Sequence, residues 1–180
     1  MIDITFITGN QNKADYLARY LELPVKHHKM DLDEIQSLDL RTIVKHKLLQ
    51  AYDEVKQPVL VEDVSLEFEA LGRLPGTFIR FYVDEVPFET ICRTLDGLSR
   101  NATAKSIYGY YDGTSMEFFE SGMKGVIADH PRGENGWGWD KIFIPVGYTQ
   151  TRAELDEEED KKTYMIIKPF DKLKAFLESK

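Results

Sequence analysis

The order of apolar segments in the first third of the chain constrains its fold more than any other sequence feature. The apolar segment Ile2–Ile7 leads through a polar turn into Gln11–Leu23, where apolar side chains recur at helical spacing. A second helical stripe over Leu40–Val55 leads to another apolar segment, Pro58–Val61. Strands that alternate with helices in this way predict an α/β fold.

The later part of the chain adds a hairpin to this pattern. Two long segments, Ala102–Tyr111 and Met116–Ile127, flank Asp112-Gly113, which is a strong turn signal. The sheet is therefore expected to be mixed. The remaining predicted elements are strands at Val25–His28 and Asp140–Pro145, an extended piece at Tyr164–Ile167, helices at Pro87–Leu95, Ala153–Asp160 and Pro169–Leu177, and an extended or helical Phe78–Val83.

Length and composition indicate one domain over residues 1–180 in the cytoplasm. The longest apolar runs are far shorter than a membrane span, and Met1 leads directly into the first predicted strand, so we expect no signal peptide. Cys92 is the single cysteine, which excludes an internal disulfide. A formal net charge of −8 argues against a general nucleic-acid binder but allows a pocket for a small polyphosphate, where a metal and a few lysines reverse the local field.

The first predicted strand ends in a turn that suits an anion. Backbone N–H groups at a helix start point towards an anion, and Gly9 lets the chain approach closely. Lys13 adds a positive charge in the first turn of the predicted helix. The alternative is a plain helix cap at Asn10. The candidate phosphate-binding residues of this segment are Thr8, Gly9, Asn10 and Lys13.

Two acids, Glu62 and Asp63, follow the apolar segment Pro58–Val61. Acids at the carboxyl end of a strand lie where α/β sheets bind ligands, and their hard oxygens suit Mg²⁺. Solvated loop acids are the alternative. Lys45 and Lys47 are two residues apart on a predicted helix, so only one of them is expected to face a given cleft.

A glycine-rich aromatic segment follows later, at Gly136–Asp140. Trp137 and Trp139 flank Gly138, and either ring could stack on a base or pack in the core. Asp140 could accept hydrogen bonds from a base edge or cap the following turn. The four histidines show no metal-binding spacing, and the Gly-x-Ser-x-Gly motif is absent, which argues against a zinc enzyme or a serine hydrolase.

Together these motifs resemble the inosine triphosphate pyrophosphatase family, whose members split non-canonical purine nucleoside triphosphates into monophosphate and pyrophosphate. The resemblance covers nearly the whole chain in order. The matching segments are Phe6–Lys13, Asp33–Gln36, Pro58–Asp63 with Ala70–Gly76, and Gly136–Asp140 with Ile142–Tyr148 and Thr151–Leu155.

The resemblance implies a fold, a metal and a set of site residues. The family has an elongated α/β structure with a long mixed sheet and a β-hairpin-rich lobe, and it is usually a homodimer. Glu34 and Asp63 resemble the acids of the Mg²⁺ site, where Asp63, or Glu62 beside it, would activate water. The residues that resemble substrate contacts are Thr8, Gly9, Asn10, Lys13 and Lys47 for phosphate and Trp137, Gly138, Trp139 and Asp140 for the base.

The chain departs from the family pattern at two places. One lies directly after the central acids, and the other is where the family has the residues that recognise the purine. Val64-Ser65 stands where the family commonly has Ser/Thr-Gly. The family ends in Lys-Asn-x-x-Ser-His-Arg, but Met165 and Ile166 stand where its His and Arg read the purine. Lys161 could replace the family's phosphate lysine, and Lys168 the missing arginine.

The sequence thus predicts Mg²⁺-dependent hydrolysis of a nucleoside triphosphate with altered base specificity. Two alternatives stay open. A degenerate homologue could bind a nucleotide as a sensor or interaction module, although retention of Glu34 and Asp63 argues against it. The second alternative is the related Maf-type class of nucleotide pyrophosphatases, which acts on modified pyrimidines. These proteins open with Ser-x-Ser-Pro-Arg, a motif that this chain lacks.

Overall fold

A computed structural model describes residues 4–180, which divide into two compact units. Unit 1 contains the described residues up to Asp63 together with Ser106–Glu120 and Pro169–Lys180. Unit 2 contains Val64–Lys105 and Ser121–Lys168. The single domain expected from the length stays a prediction.

The described residues form one mixed β-sheet, as predicted. Its strands are β1 (Thr5–Ile7), β2 (Lys26–His28), β3 (Val59–Phe68), β4 (Pro75–Gly76), β5 (Asn101–Tyr111), β6 (Met116–Ile127) and β7 (Phe143–Pro145). Their order is β2-β1-β3-β5-β6-β7, with β4 paired to β3. Strand β1 runs parallel to β2 and β3, whereas the β3–β4 and β6–β7 pairs are antiparallel.

Six α-helices accompany the sheet over the described range: α1 (Gln11–Leu21), α2 (Leu40–Val55), α3 (Ile79–Glu85), α4 (Phe88–Arg93), α5 (Glu157–Ile167) and α6 (Phe170–Glu178). Polar caps fix the starts of the first two. The Asn10 side chain accepts a hydrogen bond from Lys13 N at 3.3 Å, and Asp39 Oδ2 accepts one from Thr42 N at 3.0 Å. None of the helices in residues 4–180 is long and apolar enough to cross a membrane.

Helix α2 packs closely on strand β5 inside unit 1. Its buried residues Val44, Leu48 and Ala51 join a core cluster that includes Ile107 of β5. A Cβ at Gly109 would lie 2.4 Å from Val44 Cγ1 and 2.7 Å from Leu48 Cδ1, so only glycine allows this approach. The close packing fixes the position of α2, which carries Lys47.

The core of unit 2 is built on the second half of β3. Leu66 and Phe68 are buried with Cys92 of α4 and Phe143 of β7 in one apolar cluster. Trp139 packs against this cluster. The aromatic segment is therefore anchored on the apolar core of unit 2.

The predicted end of the central strand is wrong. Strand β3 continues to Phe68, so Glu62 and Asp63 lie within the strand rather than at its end. The reason is that buried residues resume after the acids, at Leu66 and Phe68, and extend the pairing. Strand β1 pairs with β3 only as far as Leu60, so the two acids still lie just past the carboxyl end of β1.

The carboxyl-terminal predictions are also corrected in part. Tyr164–Ile167 is not extended, because it completes α5, whose start is capped by Asp156 and whose buried face includes Tyr164 and Ile167. The helix predicted over Ala153–Asp160 is replaced by a 3₁₀ turn at Arg152–Glu154 followed by α5. Likewise, Asp140 lies in a 3₁₀ turn at Gly138–Lys141, and the strand begins only at Phe143.

The Asp39 cap gives a test of the fold. We expect Asp39→Ala to lower the free energy of unfolding by about 1 kcal/mol, because it removes the acceptor for Thr42 N at the start of α2. Asp53→Ala on the same helix is the matched control, since Asp53 forms only an exposed pair with Lys56. Urea denaturation measures both variants, and equal effects would contradict the cap assignment.

Candidate active site

The turn between β1 and α1 holds the predicted phosphate-binding residues of unit 1 together. Thr8 Oγ1 accepts a hydrogen bond from Asn10 N at 3.1 Å, and Asn10 in turn caps α1. A Cβ on Gly9 would lie 3.0 Å from Asp31 Oδ1, so glycine lets the turn pass close to that side chain. The cap proposed as the alternative is thus present, at a helix start whose dipole favours an anion.

Glu62 and Lys13 form a buried ion pair beside this turn. Lys13 Nζ lies 2.7 Å from Glu62 Oε2, and the Glu62 side chain has no solvent exposure. Ser106 Oγ donates to the other oxygen, Glu62 Oε1, at 3.1 Å. The sequence patterns did not single out Ser106, because only the register of β5 beside β3 brings its hydroxyl to Glu62.

A second lysine joins the other two acids. Lys47 Nζ lies 2.7 Å from Asp63 Oδ2 and 3.5 Å from Glu34 Oε1. The exposed fractions are 15% for the Asp63 side chain and 37% for Glu34, so both carboxylates remain accessible to a ligand. Lys45 is exposed on another side of α2, which agrees with the expectation that only one of the two lysines faces a cleft.

These five residues share one electrostatic environment, and we refer to Lys13, Glu34, Lys47, Glu62 and Asp63 as the acid–lysine cluster. Burial alone would lower the pKa of Lys13, but the negative charges of the three acids outweigh that effect and raise the pKa above its usual value. Lys13 therefore stays protonated at neutral pH. The cluster combines two cations with three anions in a partly buried site.

The donor chemistry of this cluster fits Mg²⁺. Over residues 4–180 no group of three or more His, Cys, Asp or Glu side chains is arranged to hold a metal by itself. Glu34 and Asp63 nevertheless converge on the same ammonium group, so their hard oxygens face one region. Mg²⁺ suits such a pair, since it binds one or two carboxylates and completes its shell with phosphate and water.

In unit 2, the aromatic segment forms a tight loop. Gly136 and Gly138 have φ values of +70° and +60°, which other residues rarely adopt. The Trp139 ring packs edge-on against Phe143, with 5.5 Å between the ring centres, so this tryptophan takes the core-packing role given as the alternative. Trp137 is only partly buried and extended at its backbone. Stacking of either ring on a base stays a prediction.

Asp140 lies inside the protein beneath this loop. It is 4% exposed, and its Oδ2 accepts a hydrogen bond from Trp137 N at 3.0 Å. Its Oδ1 accepts a hydrogen bond from Arg152 at 2.8 Å. Oδ2 thus caps the turn that contains Asp140 rather than a following turn, and Oδ1 contacts a residue outside the loop. A contact with a base stays a prediction. The sequence patterns gave Arg152 no role of its own, because only the tertiary structure brings its guanidinium to Asp140.

The basic residues proposed for the carboxyl-terminal motif have different surroundings. Lys161 is exposed on α5, and its contact with phosphate stays a prediction. Lys168 is only 3% exposed, and its ammonium lies 5.4 Å from the centre of the Tyr164 ring. Ile166 is 51% exposed, and the loss of a purine reader at this position stays a prediction.

Comparison with known proteins finds a matching family model and relatives over most of the chain. The Ham1 family model matches residues 4–176. Inosine triphosphate pyrophosphatase 2 of Trypanosoma cruzi is 38% identical over 96% of this chain and 90% of its own. Inosine triphosphate pyrophosphatase of Yarrowia lipolytica is 35% identical over 99% of this chain and 97% of its own.

Solved structures share the fold. A HAM1 protein from Coxiella burnetii superimposes with a TM-score of 0.84 at 23% identity, and the match covers 100% of both chains. The Ham1 protein of Staphylococcus aureus gives a TM-score of 0.78 at 24% identity over 97% of this chain and 98% of its own. The resemblance inferred from the motifs is confirmed, and the chain belongs to the Ham1 family.

Proposed function

We propose that this protein is a nucleoside triphosphate pyrophosphatase that converts non-canonical purine nucleotides into monophosphate and pyrophosphate. The observation that carries the proposal is the convergence of Glu34 and Asp63 on Lys47, beside the Lys13–Glu62 pair. The named activity of the Trypanosoma cruzi and Yarrowia lipolytica relatives supports it. The homodimer and the cytoplasmic location expected from the sequence are part of the proposal.

Glu34 and Asp63 would hold Mg²⁺ in this enzyme. The bound ion would supply Lewis-acid polarisation of phosphoryl oxygens. Lys13 and Lys47 are already positioned and charged, so they can stabilise negative charge that develops on the polyphosphate without reorganisation. The turn at Thr8–Asn10 adds backbone N–H groups and the positive end of a helix dipole.

The two central acids have different roles in this proposal. Glu62 is completely buried, and its oxygens contact Lys13 and Ser106, so it serves as the fixed counter-ion of Lys13. Asp63 is partly exposed and next to it in the chain. Asp63 is therefore the better group to orient or deprotonate the attacking water.

The role of Asp63 can be tested by removing its charge. We expect Asp63→Asn to lower kcat for pyrophosphate release by about 10²–10⁴-fold, because the variant loses a metal ligand and the water-orienting base. Asp33→Asn is the control, since Asp33 lies next to Glu34 in the chain but is 76% exposed and pairs only weakly with His46. Near-normal turnover by Asp63→Asn would contradict the assignment.

The two lysines on α2 allow a second comparison between a site residue and a control residue. We expect Lys47→Met to lower kcat/KM by about 10²-fold or more, as when one preorganised charge donor is removed. Lys45→Met should stay close to the parent enzyme because its side chain points to solvent. Steady-state kinetics with Mg²⁺ and a good substrate measures both, and similar losses in the two variants would refute a specific role for Lys47.

Base specificity is the finer part of the proposal. Met165 and Ile166 cannot donate hydrogen bonds to a purine edge, and a pocket without such donors loses discrimination that can reach roughly 10⁴-fold. We therefore expect a relaxed or altered preference across inosine, xanthosine, deoxyuridine and the common triphosphates. A pyrophosphate-release panel at fixed Mg²⁺ measures it. A strong inosine-type preference would show that these two substitutions do not matter.

A further inference from the structure

Arg152 is a buried and multiply bonded charge of unit 2. Its guanidinium is 4% exposed and donates from three nitrogens. NH1 donates to Asp140 Oδ1 at 2.8 Å, NH2 to Asp160 Oδ1 at 2.5 Å, and Nε to Thr163 Oγ1 at 3.2 Å. Asp160 and Thr163 belong to α5, whereas Asp140 belongs to the aromatic segment, so one side chain ties these two elements together.

Asp140 also contacts Trp137 and so links it to Arg152. The carboxylate oxygen that does not face Arg152 accepts a hydrogen bond from Trp137 N at 3.0 Å. A Cβ at Gly136 would lie 2.4 Å from the same oxygen, so the loop closes tightly over the carboxylate. The backbone of Trp137 is therefore fixed by Asp140, and Asp140 is fixed by Arg152.

The charges of this network depend on one another. Burial alone would lower the pKa of Arg152, but the carboxylates of Asp140 and Asp160 outweigh it and raise the pKa above its usual value. Burial also raises the pKa of Asp140, against the opposing charges of Arg152 and Lys168. Removing the guanidinium would leave a buried carboxylate without its main partner, which is strongly unfavourable.

We infer that Arg152 is a positioning residue that holds Trp137 as a rigid stacking platform for the nucleotide base. This inference rests on the proposed function and deepens it. Helix α5 carries Met165 and Ile166 instead of a charged purine reader, yet Arg152 still couples that helix to the aromatic segment. Stacking on an aromatic ring tolerates many bases, because every base has a π-face. Arg152 thereby sets how tightly the base is bound rather than which edge is read.

The experiment exploits the two tryptophans of the chain, Trp137 and Trp139, which both lie in the aromatic segment. Tryptophan fluorescence, excited at the long-wavelength edge where the nine tyrosines do not absorb, therefore reports this segment alone. We would titrate the parent protein and Arg152→Lys with inosine triphosphate in EDTA by fluorescence, and measure binding of inorganic triphosphate, the probe that lacks a base, by calorimetry. Lysine keeps the charge but cannot reach three partners with a planar fork.

We expect Arg152→Lys to weaken inosine triphosphate binding about tenfold, the order lost with one charge-assisted hydrogen bond. Its affinity for inorganic triphosphate should not change. With Mg²⁺, KM should rise by a similar factor for every base while kcat stays within about threefold. Thr163→Val removes the acceptor for Nε and the hydrogen bond from Thr163 Oγ1 to Asp160 O. It should shift the same quantities in the same direction by a smaller factor, and it guards against a misfolded Arg152→Lys.

Arg100→Lys is the matched control. Arg100 is also a multiply bonded arginine of unit 2, with contacts to Asp96, Cys92 O and Ala128 O, but it does not bond to the aromatic segment. A loss of thermal stability without a change in nucleotide affinity is expected there.

Three outcomes overturn the inference. They are unchanged affinity for inosine triphosphate in both Arg152→Lys and Thr163→Val, an equal loss of inorganic triphosphate binding, or the same shift in Arg100→Lys. Absence of pyrophosphate release from the parent protein would instead refute the proposed function, while the titration in EDTA would still decide the role of Arg152.

Discussion

The ion pairs that join Lys13 and Lys47 to three carboxylates are the interaction on which the rest of unit 1 depends. A buried carboxylate such as Glu62 is stable only when a cation compensates it, and Lys13 does so at 2.7 Å. Lys47 likewise keeps Glu34 and Asp63 together although they come from distant parts of the chain. The packing of α2 on Gly109 positions this lysine, so the apolar core and the charged cluster are parts of one arrangement.

In unit 2, a cation again compensates carboxylates, but there the ion pairs fix a loop. Arg152 compensates two carboxylates, of which Asp140 is almost fully enclosed, and the result is a fixed loop rather than an open ligand site. The acid–lysine cluster leaves Asp63 and Glu34 partly accessible, as chemistry with water and phosphate requires. The acid that bonds to the loop, Asp140, is therefore less exposed than Asp63 and Glu34, the acids of the proposed metal site.

Local signals in the sequence predicted the local structure well. The bounds of α2 agree with Leu40–Val55, because a capping aspartate and a continuous apolar stripe define them within the segment itself. The hairpin around Asp112-Gly113 follows from its turn residues, with Asp112 Oδ1 accepting hydrogen bonds from two backbone N–H groups. Strand β3 and the end of α5 were misjudged because strand pairing and burial against distant residues override short-range patterns.

The sequence by itself determined the family, the mixed α/β architecture and the residue types of the proposed phosphate and metal site, since these are encoded in contiguous motifs. Only the tertiary structure decided which lysine pairs with which acid, that Glu62 is enclosed while Asp63 is accessible, and that Arg152 holds the aromatic loop. The physical reason is that charge compensation and burial depend on residues far apart in the chain, whose distances are set by packing and strand register rather than by local spacing.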